Sequence, residues 1–280
     1  MTQLVSAFLV LVGFGCFAVS LWPPLLHGYG PAFLTTPAGR WSLFSGLILS
    51  FIVSSQIQRH AKKRVLRDAW SDFATRHGGS LKVGAASLAP GGIRQDTMAE
   101  VSVGDRTMQL SVTRERDSVS TRFGGTVDAP TDLQIFLVPQ SAAMRLIASP
   151  AVSKFLRRQM PAEHDGSLST ARREAEMLLF GDPTPTGDAV FDRHFLVRAS
   201  DPVRAHALFD DGAFRYAFLE LRERGKAFTW ALARDPKSGE MRMEYGEWGG
   251  VITDGDRLDR IHALMVRALD RLERVKENAA

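Results

Sequence analysis

The chain has 280 residues, 35 Lys/Arg against 31 Asp/Glu, a pI near 9.4 and a single cysteine. One cysteine excludes an intrachain disulfide framework and any Cys-rich metal site. The net charge of +4 does not mark a nucleic-acid binder, because six of the 35 basic residues are Arg40, Arg59, Lys62, Lys63, Arg64 and Arg67. Residues 68–280 then hold 29 basic against 31 acidic groups, so no nucleic-acid partner is expected.

No acidic or basic side chain occurs before Arg40. Residues 4–22 (LVSAFLVLVGFGCFAVSLW) are uncharged over 19 positions, near the ~20 that span a hydrocarbon core. A second, more polar stretch, 41–58, has Leu43, Phe44, Leu47, Ile48, Leu49, Phe51, Ile52 and Val53 as its apolar body. Pro23, Pro24, Pro31 and Pro37 break the connection between them. Trp22 and Trp41 stand where interfacial indoles are favoured. The pattern predicts a two-helix transmembrane hairpin in a bacterial inner membrane. The positive-inside rule places the N-terminus and residues 59–280 on the cytoplasmic side. Arg59, Lys62, Lys63, Arg64 and Arg67 form a juxtamembrane collar suited to an anionic lipid bilayer surface. A cleaved signal peptide fits less well, since the first stretch lacks a basic n-region and is followed by Pro23-Pro24.

Beyond the collar, Val65, Leu66, Ala69, Trp70, Phe73 and Ala74 recur at helical spacing up to Gly78-Gly79. A β-rich stretch follows. Residues 80–83 read as a short strand, 98–103 and 107–113 as a hairpin about Gly104-Asp105, and 118–127 and 132–138 as further strands. Residues 150–180 read as irregularly helical, and Gly181-Asp-Pro-Thr-Pro-Thr-Gly187 as a linker. The final hundred residues read β-α-β-β-α. Residues 190–199 are predicted as a strand, and Asp201-Pro202 as an N-cap and first helical position. Helix continues through Phe209, Phe214, Phe218 and Leu221; a hairpin spans 227–233 and 241–245. The last helix begins near Asp254, with Leu258, Ile261, Met265, Leu269, Leu272 and Val275 on one stripe.

Phe191, Asp192, Phe195, Val197, Ser200, Asp201 and Ala205 give this last part the form F-(D/E)-x-x-F-x-V-x-x-(S/D)-D-x-x-x-A. The segment resembles one found in a family of uncharacterised bacterial membrane proteins, a domain of unknown function with one or two N-terminal spans and a polar domain. The likeness covers about a third of the chain. It implies a fold and a membrane context, and no activity.

Two groups of residues offer chemistry. Asp192 and His194 at two-residue spacing share one face of the predicted strand, where a carboxylate could orient an imidazole for base work. Alternating charge on a half-exposed sheet gives the same pattern. Asp254, Asp256 and Asp259 could supply oxygen ligands to a cation, but Thr253 and these acids equally fit helix-start chemistry. The P-loop, Rossmann, zincin, serine-hydrolase and C-x-x-C motifs do not occur.

The expected architecture is therefore α+β: a transmembrane hairpin over 1–58, a juxtamembrane helix and β-rich subdomain over 59–180, and a β-α-β-β-α subdomain over 181–280. The expected function is a non-enzymatic binding or scaffold module with a protein partner or self-association, using no cofactor. The alternative is a membrane-tethered, hydrolase-like enzyme using Asp192/His194 or the Asp254–Asp259 group.

Overall fold

The computed structural model describes residues 37–84, 87–89, 92–94, 97–115, 118–140, 182–223, 227–235 and 238–277. The chain divides into two compact units, Met1–Asp68 and Ala69–Ala280. The predicted first span, 4–22, and the predicted helix at 150–180 lie outside the described residues.

Helix α1 runs Pro37–Arg76, with proline at its start. It contains the second predicted span and continues through the basic collar. Among the described residues no helix is long and apolar enough to cross a membrane. The expected transmembrane hairpin is thereby corrected, and with it the two-pass inner-membrane location and its cytoplasmic orientation. The physical reason is dilution. Ser45, Ser50, Ser54, Ser55, Gln56 and Gln58 interrupt the apolar run, and five Lys/Arg follow within two and a half turns.

In the second unit α1 ends where Gly78 takes a left-handed φ of +66°, and the Gly79 N–H reaches back to the Ala74 carbonyl at 2.7 Å. Eleven strands follow among the described residues. They are β1 (Ser80–Val83), β2 (Ser87–Ala89), β3 (Gly92–Arg94), β4 (Thr97–Val103), β5 (Arg106–Glu115) and β6 (Ser118–Thr126). Then come β7 (Ile135–Pro139), β8 (Asp182–Pro183), β9 (Phe195–Ala199), β10 (Phe228–Arg234) and β11 (Met241–Trp248). The helices are α2 (Ala189–His194), α3 (Pro202–Phe209), α4 (Gly212–Glu223) and α5 (Gly255–Glu277).

Nine of these strands make one sheet in the order β1-β4-β5-β6-β11-β10-β7-β9-β8, with antiparallel pairing throughout; β2 and β3 pair separately. Strands from both sides of residue 181 alternate in it. The segment expected as a linker supplies the edge strand β8, where Pro183 is tolerated because no ladder partner is needed outside it. The α+β character is thus present without the hairpin.

Register explains the core. Ala99, Leu110, Phe123, Tyr245, Trp230, Leu137 and Val197 are successive Cα partners across seven strands, and all are buried. Period-two alternation puts this whole row on one face. The next row, on the opposite face, runs Gln109, Gly124, Glu244, Ala231, Phe136 and Arg198. It is polar toward β5, and near β9 the buried Arg198 is joined by a smaller buried cluster of Phe136, Val138 and Leu196. Gly124 is required there by close approach: a Cβ would lie 2.3 Å from the Met243 carbonyl oxygen.

The helical layer closes the larger face. Trp70, Phe73 and Ala74 at the end of α1 are buried, and the Trp70 indole N–H donates to the Ile252 carbonyl at 2.8 Å. The α5 stripe Leu258, Ile261, Met265, Leu269, Leu272 and Val275 is buried along its length. Arginines tie the C-terminal carbonyls of α3: Arg271 donates to Leu208 and Ala207, and Arg215 to Phe209. Asp211 opens α4, its carboxylate accepting the N–H groups of Ala213 at 2.7 Å and Phe214 at 3.1 Å.

Candidate functional site

Asp192 and His194 do not lie on a sheet face. They belong to α2, so the predicted 190–199 strand is corrected to a short helix followed by β9. Local chemistry accounts for the helix. The Asp188 carboxylate caps it, accepting the N–H groups of Val190 at 2.9 Å and Phe191 at 3.1 Å, and also takes Arg215 Nε at 3.0 Å. The Phe191 N–H first, and then Val190 and Arg215, hold the Asp188 carboxyl below its ordinary value. Asp192 accepts the Thr186 backbone N–H at 3.0 Å and its hydroxyl at 2.8 Å. Two residues on a helix turn through roughly 200°, so Asp192 and His194 diverge instead of forming a dyad.

That tie makes Asp192 a folding residue. Asp192→Ala should cost about 1–2 kcal/mol, as losing a helix cap does, because the buried Thr186 loses its acceptor. His194→Ala should stay within about 0.5 kcal/mol, since that side chain is half-exposed. Paired urea titrations check the contrast.

The acidic group at the start of α5 also separates. Asp254 caps the helix, accepting the N–H groups of Asp256 at 3.1 Å and Arg257 at 3.4 Å; Thr253 is not the cap. Asp256 is exposed. Asp259 turns the other way, to Arg76 Nη1 at 2.6 Å and His77 Nε2 at 2.9 Å. Among the described residues no group of three or more His, Cys, Asp or Glu could hold a metal ion. Of the basic collar, Lys62, Lys63 and Arg64 are exposed and Arg67 is half-exposed, while the Arg59 side chain lies outside the described residues.

Two polar clusters arise that sequence reading missed. The first is buried. Arg257 Nε donates to Glu247 Oε2 at 2.7 Å, its Nη2 lies 2.6 Å from the same oxygen, and its Nη1 donates to the Leu221 carbonyl at 3.3 Å. The Tyr245 hydroxyl donates to Glu247 Oε2 at 2.9 Å. Burial, and then the Glu247 charge, push the Tyr245 phenol well above its ordinary value. Burial opposes the charge on Arg257, but Glu247 outweighs it and raises the guanidinium further. A carboxylate and guanidinium both sealed from water have no access to a substrate; they join β11 to α5 and α4. A signal was present in the sequence, since Glu247 continues the inward alternation of Met243 and Tyr245, and Arg257 falls one turn before Ile261.

The second cluster is half-exposed. The imidazoles of His77 and His262 stack with centroids 3.8 Å apart and planes 27° from parallel. Phe73 and Phe123 flank them, with Phe73 4.9 Å from His77 and 6.2 Å from His262. His262 Nε2 donates to the Ser102 carbonyl at 2.7 Å, and His77 Nε2 donates to Asp259. Acceptor-only partners fix both rings as Nε2–H tautomers when neutral. Burial, more than the adjacent His77, lowers the His262 affinity for a proton. No local motif announces this cluster.

Comparison with known proteins finds no matching family model, no matching curated protein and no matching solved structure.

Proposed function

We propose that the unit Ala69–Ala280 is a non-enzymatic binding module that takes a protein partner on its helical layer. The observation that carries this reading is the use made of the candidate acids. Asp188, Asp211 and Asp254 cap helices, Asp192 holds the Thr186 turn, Asp259 holds Arg76 and His77, and Glu247 is sealed against Arg257. Each of these six carboxylates is bound to a folding task, and of the candidate acids Asp256 stands exposed at the surface. Three large apolar side chains stand outward on this layer: Val190 on α2, Val203 on α3 and Tyr216 on α4 are 58%, 79% and 59% exposed. Tyrosine in particular is enriched where proteins meet.

The test is in-cell cross-linking of the full chain followed by mass spectrometry, with Val203→Glu and Tyr216→Glu alongside the parent. Substitutions at exposed positions should leave stability within about 0.5 kcal/mol. A stoichiometric partner that both variants lose, on the order of tenfold or more, supports the reading. Equal recovery with the variants sinks it. A phenotype abolished by His194→Ala but untouched by Val203→Glu and Tyr216→Glu would favour an enzyme instead.

A further inference from the structure

We infer that the stacked His77–His262 pair, with Asp259 beside it, is an acid-sensitive clasp between the end of α1 and helix α5. Its geometry links the two elements through side chains alone. Arg76 and His77 come from the end of α1, Asp259 and His262 lie one turn apart on α5, and β4 contributes the Ser102 carbonyl. Among the described residues, Arg76, His77, Asp259 and His262 are the charged and titratable groups that meet at the rings, and β6 presents the Phe123 ring.

Both neutral rings already use Nε2–H as a donor, so an added proton must enter at Nδ1. At His262 it is opposed, because that ring stacks 3.8 Å from a second imidazole and Arg76 already occupies the neighbouring Asp259 carboxylate. Burial adds to the opposition at His262, whose folded form holds its proton more weakly than the ordinary 6.5.

The sign follows by linkage. A histidine with a depressed folded value contributes stability that is present above 6.5 and is lost as pH falls through the folded value. The clasp is closed at about pH 7 and opens toward about pH 5, inside the range where imidazoles switch. Opening loosens the end of α1, whose last two turns carry Trp70 and its bond to Ile252.

The test uses the full chain and two readouts: imidazole resonances against pH, and hydrogen-exchange protection of the Trp70 indole N–H. Expected is a His262 step below the ordinary imidazole value, with protection falling on the order of tenfold between about pH 7 and about pH 5 after correction for intrinsic exchange. His262→Gln keeps a donor for Ser102 and removes the charge, so its protection should be flat across that range. His77→Gln should raise the His262 midpoint. Equal pH dependence in parent and His262→Gln overturns the clasp, as does a His262 midpoint unmoved in His77→Gln. Should His262→Gln fail to fold, the His77→Gln titration decides alone.

Discussion

Replacing Arg257 with Met should destabilise the fold by about 3–5 kcal/mol, close to the largest cost of any single change outside the apolar core. Arg257 and Glu247 side chains are 2% and 1% exposed, so the variant leaves a carboxylate in a low-dielectric site without its guanidinium. Solvent cannot compensate, and the Leu221 carbonyl at the end of α4 loses its donor as well. The ion pair itself need not be strongly stabilising, because two desolvation penalties offset its Coulomb attraction. A second variant separates these contributions. Arg257→Met combined with Glu247→Gln removes the stranded charge and should recover a large part of the loss, leaving a coupling of several kcal/mol in the double-mutant cycle. Urea unfolding of the four proteins measures it. Additive losses would mean that the pair acts only through packing.

The legible parts of this fold are those set by neighbours in sequence. The Gly104-Asp105 turn, with Gly104 at φ +61°, joins β4 to β5 as alternation predicts. Asp201 and Pro202 open α3 through a two-donor cap, and the last helix buries the stripe read from its period. The misreading of 190–199 had a local cause too. Phe191, Phe195 and Val197 recur as a strand's inner face would, but Asp188 two residues earlier caps a helix, and Thr186–Asp192 locks it. Both periods pass through Phe191 and Phe195, which are in contact at 4.8 Å on either side of the helix-to-strand change. The membrane reading weighed the apolar residues of 41–58 above its serines and glutamines. The polar clusters were illegible for another reason. His77 and Asp259 are 182 residues apart, and only the packing of α1 and α5 against β4 brings them together.

Phe218→Ala should cost about 3–5 kcal/mol, the range for deleting a buried phenylalanine ring. Phe218 sits among Phe191, Phe195, Phe209, Phe214 and Trp230, with ring centroids 5.1 to 6.1 Å away. These come from α2, β9, α3, α4 and β10, so one ring joins three helices to two strands. Most of the contacts are edge-on, the arrangement in which aromatic pairs gain beyond area alone. A void at that point loses contacts on five sides, and no single neighbour can fill it without breaking its own pairs. Trp230→Phe, in the same cluster, should be far milder. The Trp230 indole N–H is buried with no hydrogen-bond partner among the described residues, so the change removes an unpaired donor while opening a smaller space. The two effects oppose each other, and the net loss should be about 1 kcal/mol or less. Thermal and urea unfolding would compare the variants. If Trp230→Phe proved as damaging as Phe218→Ala, the cluster would depend on ring size at β10 and not on Phe218 as its centre.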